Sequence, residues 1–383
     1  MNAIEKYGWV NAARGYAILL VVMIHIPQFL FTANSIALLT HTGDMGVQLF
    51  FVMSSFTLFN SYSKRAVDGA THTKRAFFVR RLFRIAPHYW LATAFYLALE
   101  ILFSGNKILW SYLFFNVVFL NGVYVPAIVY LPPGGWSIGV EMAFYLTIPL
   151  LFRWTKDIWS AIALLAIAIL ASNALNFAEF VVITRHTTYD WEAMRTFKLY
   201  FWFPNQFPVF CFGILLYHVY RSIRISVRAG YGLLYAALIA FAALCFVPFS
   251  VEYPSYFFQK EYVYGLVFAI FAAGLYASKS AAFNNSLIQR IGLTSFSLYL
   301  NHFIVLMVLG AIERRYSAYL AHHDPAMLPW VRNDLTLIAY YVLAVFIAYK
   351  MSRVTYRYIE LKGIKLGERV LVRLGWSHAY API

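Results

Sequence analysis

Long apolar runs alternate along the chain with short polar, basic or turn-forming stretches. Runs long enough to cross about 30 Å of hydrocarbon cover residues 9–31, 45–62, 86–104, 136–152, 158–176, 201–219, 230–249, 262–278, 293–312 and 334–352. The pattern predicts an all-α polytopic membrane protein, a bundle of ten transmembrane helices. An eleventh apolar stretch, 109–130, is interrupted by Asn116, Asn121, Gly122 and Pro126 and runs into a Leu-Pro-Pro-Gly-Gly turn. The first run is followed by no small-residue cleavage site and reads as a retained span rather than a removed signal.

Charge fixes the expected orientation. With the N-terminus inside, the inner segments hold 22 of the 31 Lys and Arg and the outer segments eight, with Arg14 inside its helix. That asymmetry follows the positive-inside rule and puts both termini in the cytoplasm. A full span at 109–130 would carry the basic C-terminal stretch outside, so a re-entrant or interfacial segment on the outer side is expected there. The expected division is a transmembrane domain, 1–353, and a basic cytoplasmic tail, 354–383, too short for a domain of its own.

Composition agrees: 62% of residues are hydrophobic and only 12% charged, against about 25% charged in a soluble domain. The net charge of +15 would suggest nucleic acid in a soluble protein. Here the bilayer topology accounts for it, and no nucleic-acid partner is expected. Cys211 and Cys245 lie in apolar runs without ligand spacing, and HExxH, Walker A and GxSxG patterns are missing. No metal is expected. The outer loop 177–200 mixes aromatic and polar residues, which suits either an interfacial belt or sugar stacking.

The candidate chemistry sits at four places. In the first span, Arg14 and His25 are eleven residues apart, on one helix face and about 16 Å apart along the axis. A histidine deep in a span either bonds across two helices or faces a wet cavity where it acts. In the first inner loop, Arg81 and Arg84 share a face. They suit either anchoring to anionic headgroups or a phosphate site, since guanidinium forks match phosphate oxygens. Glu141 lies in an apolar span behind Trp136, read as an interface marker, and Ser137. Its carboxylate needs an arginine, a histidine or a substrate hydroxyl as partner. Tyr299 and His302 share a face of the ninth span and are read as structural or as part of a site. Gly46, Ser54 and Ser55 of the second span are small residues suited to close helix packing.

Taken in order, these stretches resemble the membrane acyltransferase-3 family, which O-acylates sugars and other acceptors from acyl-CoA. The matching elements are Arg14-x10-His25, Gly-Val-x-Leu-Phe-Phe-Val-x-Ser in span two, Arg-Arg-x-x-Arg-Ile-x-Pro before span three, Trp-Ser-x-x-Val-Glu-x-x-Phe-Tyr around Glu141, Ser-x-Ser-Leu-Tyr-Leu-x-His around Tyr299, and Tyr-x-x-Ile-Glu at Tyr356–Glu360. Each is weak alone; six in order over nearly the whole chain are strong. Two positions depart from the family: Ser55 stands where a glycine is usual, which would tighten the pocket beside span one, and Leu361 where a proline is usual. The form without a fused extracytoplasmic esterase-like domain is expected.

The resemblance implies His25 as the catalytic residue and a required Arg14, with Arg81 and Arg84 holding the acyl-CoA donor. Glu141 would orient the imidazole or hold the acceptor, and Trp136, Ser137, Tyr299 and His302 would complete the substrate-binding set. Phosphates near Arg81 and Arg84 would let the flexible arm thread past Arg14 toward His25, acting as general base. A covalent acyl intermediate stays open. The expected reaction moves an acyl group, above all acetyl from acetyl-CoA, to a hydroxyl of a cell-surface glycan or its lipid-linked precursor, in a bacterial inner membrane. The alternative is a proton-coupled exporter, which would also use buried His, Glu and Arg.

Overall fold

The structure is a computed structural model that describes residues 7–31, 42–67, 73–105, 107–186, 200–246 and 259–376. Most of the outer loop 177–200 therefore lies outside the described residues. Among them a helix occupies every one of the predicted apolar runs. These are α1 (Gly8–Phe29), α2 (Gly46–Val67), α3 (Thr73–Leu99), α5 (Gly135–Trp154), α6 (Ile158–His186), α7 (Phe203–Ser222), α8 (Val227–Cys245), α9 (Lys260–Ser278), α11 (Ser295–His323) and α12 (Asp334–Thr355). Shorter helices are α4 (Trp110–Val117), α10 (Ser286–Leu293) and α13 (Leu361–Arg373).

Eight of the described helical stretches are long and apolar enough to cross a membrane. α2 and α7 fall short because they are polar, with Gln48 and Gln206 both completely buried and joined by a 3.0 Å hydrogen bond. They pack on each other inside the bundle, where side chains meet protein rather than lipid. The surface is the reverse of a soluble protein's: Ile239 is 70% exposed and Leu146 66%, as expected where the solvent is hydrocarbon. The protein is a multi-pass membrane protein.

α1 is the central element, packed against α2, α9, α10, α11 and α12. Its approach to α10 is backbone on backbone. A Cβ on Gly292 would lie 1.7 Å from the Asn11 carbonyl oxygen, and one on Gly15 2.4 Å from that of Ile288. Small residues permit such crossings in membranes, and this one seats Arg14. Helix starts follow local rules: Asp157 accepts the Ser160 N–H at 2.8 Å ahead of α6, which holds its carboxyl below the usual range.

The stretch 109–130 holds the eight residues of α4, about 12 Å of helix and too short to cross alone, and a single 3-10 turn at Val125–Ala127. Side chains satisfy the irregular backbone around it. Asn116 Nδ2 donates to the Tyr112 and Ala127 carbonyls (2.9 and 3.2 Å), Asn121 Nδ2 to Gly135 (3.1 Å) and Trp202 Nε1 to Val123 (3.0 Å). The segment is thereby fastened to the start of α5. At the other end of the chain, α12 runs through a π turn at Tyr356–Glu360 into α13. Gly363 and Gly367 of α13 lie against Phe83 of α3, so residues 354–376 pack on the bundle.

The α1–α10 crossing has a direct test. Gly292→Val forces the two backbones apart and is expected to cost about 3 kcal/mol or more. Gly232→Ala, at an exposed site on α8 with open space around it, is expected to be neutral or to stabilise by up to about 1 kcal/mol. Thermal unfolding in lipid nanodiscs distinguishes them; equal melting temperatures would remove the close crossing.

Candidate active site

Arg14, Arg81 and Arg84 sit at the same end of the bundle, near the start of α1 and in the first half of α3. Arg84 lies within electrostatic reach of both Arg14 and Arg81, all three of Glu141 and Tyr145, and Arg14 and Arg84 also of Glu360. Their partners differ. Arg84 Nε lies 3.5 Å from the Glu360 carboxylate, which is 1% exposed, and Ser297 Oγ donates to the other Glu360 oxygen at 3.0 Å. Arg80 is ion-paired with Glu368 of α13 at 2.7 Å. The Arg81 guanidinium rests over the Phe77 and Tyr145 rings at 5.7 and 5.9 Å, and its Nε is buried without a hydrogen-bond partner. The shared face of Arg81 and Arg84 therefore does not give them equal roles: Glu360 engages Arg84, while the Arg81 Nε–H meets no hydrogen-bond partner among the described residues.

Glu141 stands nearly two turns into α5. It accepts from Tyr145 Oη at 2.6 Å and from Ser54 Oγ. Among the described residues no arginine forms an ion pair with it; of the partners expected, an arginine, a histidine or a substrate hydroxyl, the place is taken by two hydroxyls of the protein itself. A cavity opens beside it, lined by Arg14, Phe50, Ser137, Glu141, Ser295 and Tyr299, among others. Ser137 Oγ donates to Tyr299 Oη at 2.8 Å, and Tyr299 Oη donates on to the Gly134 carbonyl at 2.9 Å. Arg14, Glu141, Ser137 and Tyr299 are thus brought together around one space.

His25 lies beyond that space. Its helix ends at Phe29, one turn further on, close to the end of the predicted run. The end is fixed from outside: Arg314 Nη1 donates to the Phe29 carbonyl at 3.2 Å. His25 Nδ1 is 2.7 Å from Gln28 Oε1. Its ring meets His302 at 5.4 Å and Phe303 at 4.6 Å between centroids, and His302 in turn lies 5.6 Å from Tyr299. Tyr299 and His302 are the link between the cavity and His25.

Two further expectations change. Trp136 does not stand exposed at an interface: it is buried because Phe51 of α2 and Tyr200 and Phe201, just ahead of α7, close over it, with centroids 6.1, 6.0 and 4.6 Å away. Ser55 faces Gly213 of α7, whose missing Cβ makes room for its hydroxyl, so the serine is absorbed there rather than in a pocket beside α1. The sequence reading missed the partners. Tyr145 follows Glu141 by four residues, the spacing of helix neighbours, whereas nothing in the small-residue pattern of Ser54 points to a carboxylate on another helix. His88, buried one turn after Arg84, lies 3.4 Å from Ser297 Oγ; only its position four residues after Arg84 hinted at it.

A bundle of apolar helices with an arginine and a carboxylate lining a cavity, further arginines nearby and two histidines beyond it defines an integral membrane protein with a polar working interior. The chain belongs to the acyltransferase-3 family: the model of the family's acyltransferase domain matches residues 7–353. It is a membrane acyltransferase. Searches of curated proteins and of solved structures return no match.

The hydroxyl cradle of Glu141 is testable. Tyr145→Phe removes one donor and is expected to lower stability by about 1 kcal/mol, while Ser54→Ala with Tyr145→Phe costs more than either alone. Unchanged unfolding temperature in the double variant would mean that the carboxylate is not held this way.

Proposed function

We propose that the protein transfers an acyl group, acetyl in the first place, from cytoplasmic acyl-CoA to a hydroxyl of a cell-surface glycan or its lipid-linked precursor, with His25 as general base. The protein then lies in a bacterial inner membrane with both termini cytoplasmic. The observation that carries the reading is the division of the polar interior: arginines at one end, an imidazole at the other, and a cavity with hydroxyls and a carboxylate between them.

Coenzyme A has the same layout, phosphates at one end of a flexible arm and a thioester at the other. Arg81, with its unfilled N–H, is the first phosphate contact, and Arg84 stands beside it with Glu360 as counter-charge. Arg14, about 16 Å along α1 from His25, guides the arm. Ser137, Tyr299 and Glu141 line its path, with Trp136 packed behind them. The acceptor hydroxyl approaches from the opposite side, and His25 removes its proton as the oxygen attacks the thioester carbon. A positioned base contributes about 10²–10⁴-fold. A proton-coupled exporter would use similar buried groups; membership of an acyltransferase family is the reason to prefer transfer.

The test is loss of thioester from radiolabelled acetyl-CoA by protein in lipid, with crude surface-glycan extract as acceptor. His25→Ala is expected to abolish transfer while the protein still inserts and unfolds cooperatively. Wild-type rates in that variant would sink the reading. Arg81→Ala is expected to raise KM for acetyl-CoA about tenfold, the loss of roughly one charge-assisted contact, with a smaller effect on kcat. If only expression falls, the arginine is a lipid anchor.

A further inference from the structure

Resting on that reading of His25, we infer that His302 holds the proton His25 collects, so that the two imidazoles work as a pair. His302 is completely buried. Its Nδ1 lies 2.5 Å from the Tyr299 carbonyl oxygen. A carbonyl only accepts, so Nδ1 carries the hydrogen and the lone pair is on Nε2. That Nε2 has no hydrogen-bond partner. A buried acceptor without a donor is costly and is kept where something is to fill it.

The neighbour in place to do so is His25. The two rings are 5.4 Å apart between centroids, tilted by 35°, and both rest on Phe303, at 4.6 Å for His25 and 4.0 Å for His302. Phe303 fixes their mutual position. His25 has the matching tautomer: its Nδ1 faces the Gln28 amide oxygen, an acceptor, which leaves its Nε2 as the basic atom. Both rings therefore expend Nδ1 on a fixed acceptor and keep Nε2 for a proton.

A second base gives the proton a place away from the reacting atoms. In many hydrolytic and transfer sites a carboxylate behind the histidine meets the imidazolium that forms. Here the group behind His25 is a neutral amide. His25, on α1, is the titratable side chain within electrostatic reach of His302 from a packed element, with Tyr299 on its own helix. Glu141 is held by Ser54 and Tyr145. With no carboxylate hydrogen-bonded to either ring among the described residues, sharing the proton between two imidazoles spreads its charge over both.

The step balances as follows. The acceptor O–H bond breaks as its oxygen forms the new bond to the thioester carbon, and the proton goes to His25 Nε2. That N–H then breaks as an N–H forms on His302 Nε2, which returns His25 to the neutral base. When the carbon–sulfur bond breaks, the electron pair leaves on sulfur. The proton returns through His25 to give the free thiol, and both rings end neutral. His302 acts through His25 and is a positioning residue, not a catalytic one.

The experiment is transfer from acetyl-CoA to crude surface-glycan extract by His302→Gly in lipid, alone and with imidazole or pyrrole added. The expected result is a kcat about 10²-fold below wild type with KM for acetyl-CoA unchanged, restored about tenfold by imidazole. Pyrrole fills the same space but has no basic lone pair, and is expected to restore nothing. Equal restoration by both, or by neither, would make His302 a packing residue and overturn the proposal. Should the glycine variant fail to fold, His302→Gln decides: a similar fall in kcat at unchanged KM supports the pair, and a kcat within about twofold of wild type, far below the effect of a lost base, overturns it. The two readings separate cleanly. Activity in His25→Ala removes the base itself, whereas loss in His25→Ala with normal His302→Gln removes only the pairing.

Discussion

A charge inside a helical bundle has to be met by a partner, because hydrocarbon offers none. Much of this protein's architecture follows from how its buried charges are met. Arg84 draws Glu360 from beyond α12, and Ser297 of α11 completes that carboxylate. Arg80 draws Glu368 from α13. Glu141 of α5 is held by a hydroxyl from its own helix and one from α2. These contacts tie α2, α3, α5, α11 and α13 at one end of the molecule. They leave a set of polar groups whose directions are fixed before any substrate arrives, which is the condition for electrostatic stabilisation of a transition state without reorganisation.

The positions of the helices could be read from the apolar runs, because a span announces itself by length and composition. The interruption at 109–130 was equally readable: Asn116 and Asn121 are poor residues for a lipid-facing helix, and both are used to bond irregular backbone. Which side chains meet across helices was not readable. Periodicity says that Arg81 and Arg84 share a face, but not that Glu360 reaches one and leaves the other. It puts Arg14 and His25 on one side of α1, but does not say that His302 and Phe303 of α11 meet His25 there. Trp136 has the composition of an interface residue, and only the three-dimensional approach of Phe51, Tyr200 and Phe201 buries it. Sequence distance from Glu141 to Ser54 is 87 residues, and no local rule bridges that.

The interior has two compartments. One is the cavity around Arg14, Glu141 and Ser137; the other is the aromatic nest of His25, His302 and Phe303. Tyr299 belongs to both, lining the first and touching the second through its ring and its carbonyl. Under the proposed reaction the two reactants come from opposite sides, and water has to be kept from running between them. An aromatic wall with a hydroxyl latch is a means of doing so while leaving room for a thin, flexible arm.

The family match ends at residue 353, yet Glu360 and Glu368 lie beyond it. The basic entrance is therefore balanced by carboxylates from outside the matched region. A molecule trimmed to the matched length would lose the Tyr356–Glu360 motif and present a mouth whose Arg80 and Arg84 lack the carboxylates that pair with them, and one in which a foreign tail replaces α13 would lose the Arg80 pair alone. Polyanions would be expected to lodge there indiscriminately, so that the defect would look like inhibition by bystanders rather than loss of chemistry.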